Sequence, residues 1–316
     1  MTTLYLHIGH SKTGTTVQQS WLSAHRDWLA GHGLHYVLAA DKPNHGGHRQ
    51  FAKGFNNDLP PGIKPARAVA EDRAAVAAEL VASDAEHILL SSENFLLADA
   101  EAVRDFLKQV RPDLNVRLIY FVRSQDELAE SQFNQLIKVG VRGMEQYNFF
   151  EFVDRFSDYF EFYAHARRWE DAFGEGSLRV EVFNASGQGP VMDLARLLPL
   201  PEAAMADLPP VPASAGRENR SLNMQSFLAL WMLNRAGIDD RKLVAKALKK
   251  KLGKDGPPAL LFDSGWGEEF RARYVEDTRA LTARYCGAAR DDLGCRRYSD
   301  EERDRIRAQM KALLGF

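Results

Sequence analysis

The sequence predicts an α/β fold of three layers: a mainly parallel central sheet, helices on both of its faces, and a helical C-terminal cap. Three observations predict it. Short apolar runs alternate with amphipathic stretches of helical spacing over residues 1–200. The first of these runs passes through a turn rich in Gly, Ser and Thr straight into a helical pattern. From residue 221 onward the patterning is helical throughout. The expected organisation is one domain over 1–316, with an α/β core over 1–200 and a mostly helical cap over 201–316.

Each element follows from local pattern. Residues 4–8 are an apolar run suited to a buried strand, and Val17, Trp21, Leu22, Trp28 and Leu29 fall near one face of the helix that follows. Residues 34–38 read as a second short strand, followed by a polar loop over 41–65. The alanine-rich stretch 66–82 is a helix. Residues 87–92 form an apolar run that turns polar at its end, a strand delivering Ser91, Ser92 and Glu93 to its carboxyl edge. A helix over 100–110 stops at Pro112, the strand 115–122 runs into Arg123, and 127–139 has helical spacing. The aromatic-rich segment 147–173 gives one or two helices, 177–183 a strand, and 191–198 a helix. Prolines and small residues make 199–215 a surface loop. Helices are expected at 221–236, 243–252, 268–285 and 299–314.

Composition narrows the function classes. At 45% hydrophobic and 27% charged residues the chain is that of an ordinary globular protein, and a net charge of −2 provides no global field for nucleic acid. No apolar run approaches bilayer length. The first strand begins by Leu4, which leaves no room for a secretory leader, so a cytoplasmic protein is expected. Cys286 and Cys295 are too few for a disulfide framework; the pair can form a single disulfide, and in a reducing compartment two free thiols are the expectation.

Gly9-His-Ser-Lys-Thr-Gly-Thr-Thr16 carries the chemistry. A strand, a glycine turn and a helix N-terminus together make an anion site: backbone N–H groups converge, the helix dipole favours negative charge, and Lys12 adds a cation. The Walker A pattern needs lysine directly after its second glycine. Here Gly9 and Gly14 have the right separation, but Thr15 occupies the lysine position and Lys12 precedes Gly14. A second cluster starts at Arg123, with Ser131 eight residues on, two turns into the following helix. A guanidinium at a strand end and a hydroxyl on the next helix suit one phosphate; the competing reading is an ion pair of Arg123 with Asp126 or Glu127.

Lys-Thr-Gly-Thr-Thr on a strand–loop–helix resembles the 5′-phosphosulfate loop of sulfotransferases that use 3′-phosphoadenosine 5′-phosphosulfate (PAPS). The stretch from Val122 to Gln135 resembles their 3′-phosphate motif. Arg217-Glu-Asn-Arg-Ser-Leu-Asn223 looks like the Asn-x-Ser-Leu element of bacterial carbohydrate-type members, and residues 266–285 look like their acidic–aromatic closing helix. The resemblance implies a P-loop-like fold and PAPS as cosubstrate. It places Ser11, Lys12, Thr13, Gly14, Thr15 and Thr16 around the 5′-phosphosulfate, and Arg123 and Ser131 on the 3′-phosphate. The eukaryotic cytosolic enzymes complete that site with a C-terminal Arg-Lys-Gly segment that this chain lacks; Arg217 or Arg220 is the substitute considered. The acceptor implied is a carbohydrate or glycolipid hydroxyl.

Transfer to a hydroxyl needs a general base near Lys12. Glu93 is the first candidate, since it follows the strand 87–92 at the sheet's ligand edge. His48 and His45 come second, from the loop after the second strand; a helix-end charge for Glu93 and a solvated loop for the histidines are the competing readings. Seven of nine histidines lie within residues 7–48, but neither His32-x-x-His35 nor His45-x-x-His48 has a third ligand close in sequence, so no metal is expected. The basic run over 241–254 is a solvated helix face or a contact for an anionic acceptor or membrane surface. Two rivals remain open: a small-metabolite kinase using ATP and magnesium, and a nucleotide-binding protein without catalysis.

Overall fold

The computed structural model describes residues 2–41, 47–55, 68–141, 146–212, 222–236, 258–294 and 298–314. Strands β1 (Thr3–Gly9), β2 (Leu34–Tyr36), β3 (His87–Ser91), β4 (Asn115–Val122) and β5 (Leu178–Val182) make one sheet. Its order is β2-β3-β1-β4-β5, and every pairing is parallel. The predicted α/β class with a mainly parallel sheet is therefore the observed one.

The helices are, in order, α1 (Thr15–Ala24), α2 (Arg26–Gly31), α3 (Arg49–Lys53), α4 (Ala68–Ala82), α5 (Ala100–Val110), α6 (Gln125–Val139) and α7 (Phe149–Arg155). They continue with α8 (Phe162–Phe173), α9 (Pro190–Ala195), α10 (Glu202–Ala206), α11 (Met224–Arg235), α12 (Ser264–Ala272), α13 (Val275–Tyr285) and α14 (Asp300–Leu314). The chain groups into two compact units, Met1–Val122 with Phe162–Glu218 and Ala280–Ala289, and Arg123–Glu161 with Asn219–Arg279 and Arg290–Phe316. This grouping does not follow a break at residue 200: residues 123–161 belong to the second unit and 280–289 to the first.

In the first unit, strand alternation sends two sets of side chains to opposite faces. Leu89, Ile119 and Phe121 join Trp21 and Leu22 of α1 and Val191 and Leu194 of α9 in one buried cluster. Leu6, paired in register with Leu90 and Leu118, belongs to the other set, on the face where α8 meets β4. Covering both faces explains why these strands read as nearly continuous apolar runs. Strand β1 lies between β3 and β4, so the chain leaves it to one side and later returns on the other. Ligands of open parallel sheets bind outside the carboxyl ends of the strands at such a switch point.

In the second unit, α6 carries a ring cluster in which Phe133 meets Phe149, Phe152 and Phe227 at centroid distances of 5.4, 5.2 and 6.0 Å. Its polar side is tied by ion pairs. Arg303, fully buried on α14, donates to Glu130 at 2.8 Å and lies 3.9 Å from Asp126, which also pairs with Arg271 at 2.5 Å.

Two expectations are corrected. The segment 266–285 is two helices, because i→i+3 bonds close α12 at Arg273 and Tyr274, whose ring turns onto Phe270 and Phe160. The proline-rich stretch 199–215 includes the short helix α10, opened by Pro201. The expected helix 243–252 lies outside the described residues, as does Cys295. Among the described residues no helix is long and apolar enough to cross a membrane.

Candidate functional site

The loop from β1 to α1 is built on three left-handed residues: Gly9 (φ 84°), Lys12 (φ 64°) and Gly14 (φ 81°). Its start is tied to the sheet by the His10 N–H, which donates to Phe121 O at 2.8 Å. The buried His10 ring stacks on Tyr120 and meets Phe162 edge-on at 5.4 Å. Thr13 Oγ1 donates to His10 O at 2.5 Å, closing the turn on itself. Gly14 is the N-cap of α1, and its carbonyl accepts from Val17 and Gln18 at 2.9 and 3.1 Å. A Cβ at Gly14 would sit 2.6 Å from Pro190 Cβ and 2.9 Å from Phe183, so glycine is required there by space as well as by φ.

The consequence is chemical. The first turn of α1 has no side-chain cap and no acidic residue. The leading N–H groups of a helix have no intrahelical acceptor and carry the positive end of its dipole. Lys12 holds a left-handed conformation that costs a residue with a Cβ about 1–3 kcal/mol. Ser11, Lys12 and Thr16 are half-buried, and Thr13 and Thr15 are buried.

Glu93 stands beside this loop. It opens a 3-10 turn, Glu93–Leu97, capped by Ser92 Oγ accepting from the Asn94 N–H at 3.2 Å. A side chain on Gly9 would bring its Cβ within 2.6 Å of Glu93 Cα, so the end of β1 packs directly on this residue. Glu93 Oε2 accepts from Gln19 Nε2 at 3.2 Å, and the same nitrogen lies 3.3 Å from Ser91 Oγ. The same hydroxyl lies in hydrogen-bond contact with His7 Nδ1, 2.8 Å away. Burial holds His7 neutral, its pKa pushed down to about 3.

His48 is brought to the same strand end but is used differently. Its ring is fully buried, with Nδ1 at 3.2 Å from the Ser91 N–H and Nε2 at 3.0 Å from Val37 O. The tautomer that satisfies both puts the proton on Nε2 and spends the Nδ1 lone pair on the backbone. Burial also pushes its pKa down. The ring therefore pins β3 to the segment after β2. His45, Arg217 and Arg220 lie outside the described residues.

In the second unit, Arg123 and Ser131 line one cavity of about 50 Å³ with Glu127, Glu130, Asn134 and Tyr298. Arg123 Nη2 meets Glu127 Oε2 at 2.5 Å, and Glu127 Oε1 accepts from the Tyr298 N–H at 3.3 Å. Of the two partners in the competing reading, Glu127 is the one that pairs with Arg123, while Asp126 turns to Arg271 and to the Ser124 hydroxyl. Glu130 accepts from the N–H groups of Leu261 and Phe262 at 2.6 and 2.7 Å, and Asn134 Oδ1 from Leu222 at 3.2 Å. One face of α6 thus fixes the cavity walls. Sequence reasoning missed Gln19, His7 and Arg303; a fully buried arginine has only its place on the helix 300–314 as a signal.

Among the described residues no three His, Cys, Asp or Glu side chains are grouped to hold a metal ion. No protein-family model matches the chain, and no curated protein matches it. Among the solved structures that overlap with it in part are these two. One is a retinol dehydratase in complex with androsterone and the inactive cofactor PAP, at 14% identity and a TM-score of 0.33, covering 80% of this chain and 81% of that one. The other is a sulfotransferase from Alicyclobacillus acidocaldarius, at 17% identity and a TM-score of 0.44, covering 79% of this chain and 96% of that one, so the structures the chain is similar to include a sulfotransferase.

Proposed function

We propose that the chain is a sulfotransferase that moves a sulfuryl group from PAPS to an acceptor hydroxyl. The observation that carries this reading is the left-handed Lys12 between Gly9 and Gly14, a lysine inside the turn between β1 and α1. A strained residue with a Cβ at a strand's carboxyl end is a reason to look for function. The second support is that Arg123 and Ser131, paired only by sequence spacing at first, share one cavity.

In this reading the first-turn amides of α1, with Ser11, Thr13, Thr15 and Thr16, cradle the 5′-phosphosulfate. The Lys12 ammonium neutralises charge growing on the oxygen between sulfur and phosphorus. Arg123 and Ser131 hold the 3′-phosphate, and Arg220 is proposed to assist them. The acceptor oxygen attacks sulfur in line, the bond from sulfur to the phosphate oxygen breaks, and adenosine 3′,5′-bisphosphate leaves. Glu93 takes the acceptor proton; the engaged ring nitrogens of His48 favour Glu93 over it. The scheme requires no metal. A carbohydrate or glycolipid acceptor, a cytoplasmic location and the single-domain organisation rest on the sequence resemblance and patterning.

The test is release of adenosine 3′,5′-bisphosphate from PAPS, with sulfur-labelled product, across a panel of sugar and lipid hydroxyls in EDTA. Acceptor-dependent release that disappears in Lys12→Ala supports the proposal. Transfer from ATP that needs magnesium would assign the kinase reading. Nucleotide binding without turnover on any acceptor would leave a binding protein.

A further inference from the structure

Strand β5 ends the sheet: β4 pairs with it on one side, and among the described residues no strand pairs with it on the other. The parallel register fixes which of its backbone groups face outward. The Leu118 N–H donates to Ser177 O at 2.8 Å and the Phe183 N–H to Val122 O at 2.7 Å, so Arg179 and Glu181 turn their backbone groups to β4. The N–H and C=O groups of Leu178, Val180 and Val182 therefore point away from the sheet. Val182 is used locally: its N–H goes to the Glu181 carboxylate, and its carbonyl accepts from Ala185 at 3.0 Å. The outward groups of Leu178 and Val180 make no such bond among the described residues. A cleft of about 520 Å³ follows this edge, with Leu178, Val180, Leu197 and Tyr285 among its lining residues.

An open edge is a template for another strand, and proteins commonly block it with charge. The charges on β5 select a partner instead. Arg179 and Glu181 stand two residues apart on one face of the strand, Arg179 exposed and Glu181 half-buried. Three antiparallel registers of two β5 strands about a two-fold axis bring these charges opposite one another. Centred on Arg179, the axis sets arginine against arginine. Centred on Glu181, it sets glutamate against glutamate. Centred on Val180, it sets Arg179 against the partner's Glu181, and Glu181 against the partner's Arg179.

Only the last register is attractive, and the backbone fits it. Val180 then faces its own copy as a hydrogen-bonded pair, N–H to C=O in both directions, with the groups that point outward. Arg179 and Glu181 fall in the non-hydrogen-bonded pairs, where Cα atoms are about 4.5 Å apart and cross-strand side chains lie closest.

We propose that the outer edge of β5 is a self-association surface whose occupant is β5 of a second copy of this chain, antiparallel about a two-fold axis at Val180. Two sheets are joined into one by main-chain hydrogen bonds at Val180 and two Arg179–Glu181 pairs. The inference does not rest on the sulfotransferase reading.

The test is sedimentation velocity of the full chain over a concentration series, with charge variants at the two positions. Wild type should shift from monomer to dimer as concentration rises. Arg179→Glu and Glu181→Arg, each alone, turn both attractive pairs into repulsive ones and should weaken the dimer about tenfold or more. Mixed in equal amounts, the two variants should pair with each other about as well as wild type pairs with itself. The double variant Arg179→Glu/Glu181→Arg should likewise regain self-pairing. Recovery in the mixture also shows that both single variants are folded. Wild type that stays monomeric at its highest soluble concentration overturns the proposal and leaves the edge to another occupant. A dimer unmoved by either single variant overturns it, since it would form through a different surface. So does a mixture that fails to pair while each variant melts like wild type.

Discussion

Gln19, in the second turn of α1, donates from one amide nitrogen to Glu93 Oε2 at 3.2 Å and to Ser91 Oγ at 3.3 Å. The helix that follows the Gly9–Gly14 loop therefore holds the carboxylate proposed to remove the acceptor proton. If Glu93 is the base, Glu93→Gln lowers kcat about a hundred- to ten-thousand-fold while binding of adenosine 3′,5′-bisphosphate stays unchanged. Gln19→Leu, which frees the carboxylate without removing it, lowers kcat by about tenfold or less. Steady-state kinetics beside nucleotide titration separate the two; a wild-type kcat in Glu93→Gln removes Glu93 from the role.

Gly14→Ala tests the loop. The added methyl meets Pro190 and Phe183 at under 3 Å while the backbone is held at φ 81°. A loss of about 1–3 kcal/mol in urea unfolding is expected, together with lost nucleotide binding. Gly31→Ala, with nothing within 4 Å of the new methyl, is the control and leaves both unchanged.

Acid should weaken the fold through His7. Its native pKa of about 3 lies below the ordinary value of 6.5, so the unfolded chain binds the proton more readily. The contribution is fully present above pH 6.5 and is lost as pH falls toward 3, at up to about 1.4 kcal/mol per pH unit. His48, depressed in the same direction by burial, adds to the slope. Unfolding free energy measured between pH 7 and 4 should fall less steeply in His7→Gln than in wild type.

Removing Arg303 leaves Glu130 and Asp126 buried with their charges uncompensated by it. Burial already raises the Glu130 pKa, with Arg303 opposing that rise. Arg303→Ala should cost about 3–5 kcal/mol in chemical unfolding, and Arg303→Met, which keeps the bulk but leaves the same charges uncompensated, a similar amount.

Much of this was legible in the sequence because it is local. The strand 115–122 coincides with β4, the helix 100–110 coincides with α5, and the turn at Gly9 and Gly14 announces itself by composition. The pairing of Arg123 with Glu127 is an i,i+4 contact on one helix face and was readable as one of two choices. What was not legible joins distant segments. Gln19 and Glu93 are 74 residues apart, and nothing in a glutamine's neighbours tells which carboxylate it will hold. His48 lies in a histidine-rich stretch that suggests chemistry, yet its burial is set by Ser91, 43 residues away. The break between α12 and α13 depends on where the Tyr274 ring finds Phe160, which no periodicity encodes.

The most direct measurement is isothermal titration of wild type, Lys12→Ala and Arg123→Ala with adenosine 3′,5′-bisphosphate, against ADP with magnesium. The sulfotransferase reading predicts binding of the bisphosphate that needs its 3′-phosphate, weakens about tenfold or more in Arg123→Ala, and is indifferent to magnesium. Preference for ADP with magnesium, or equal binding with and without the 3′-phosphate, would contradict it.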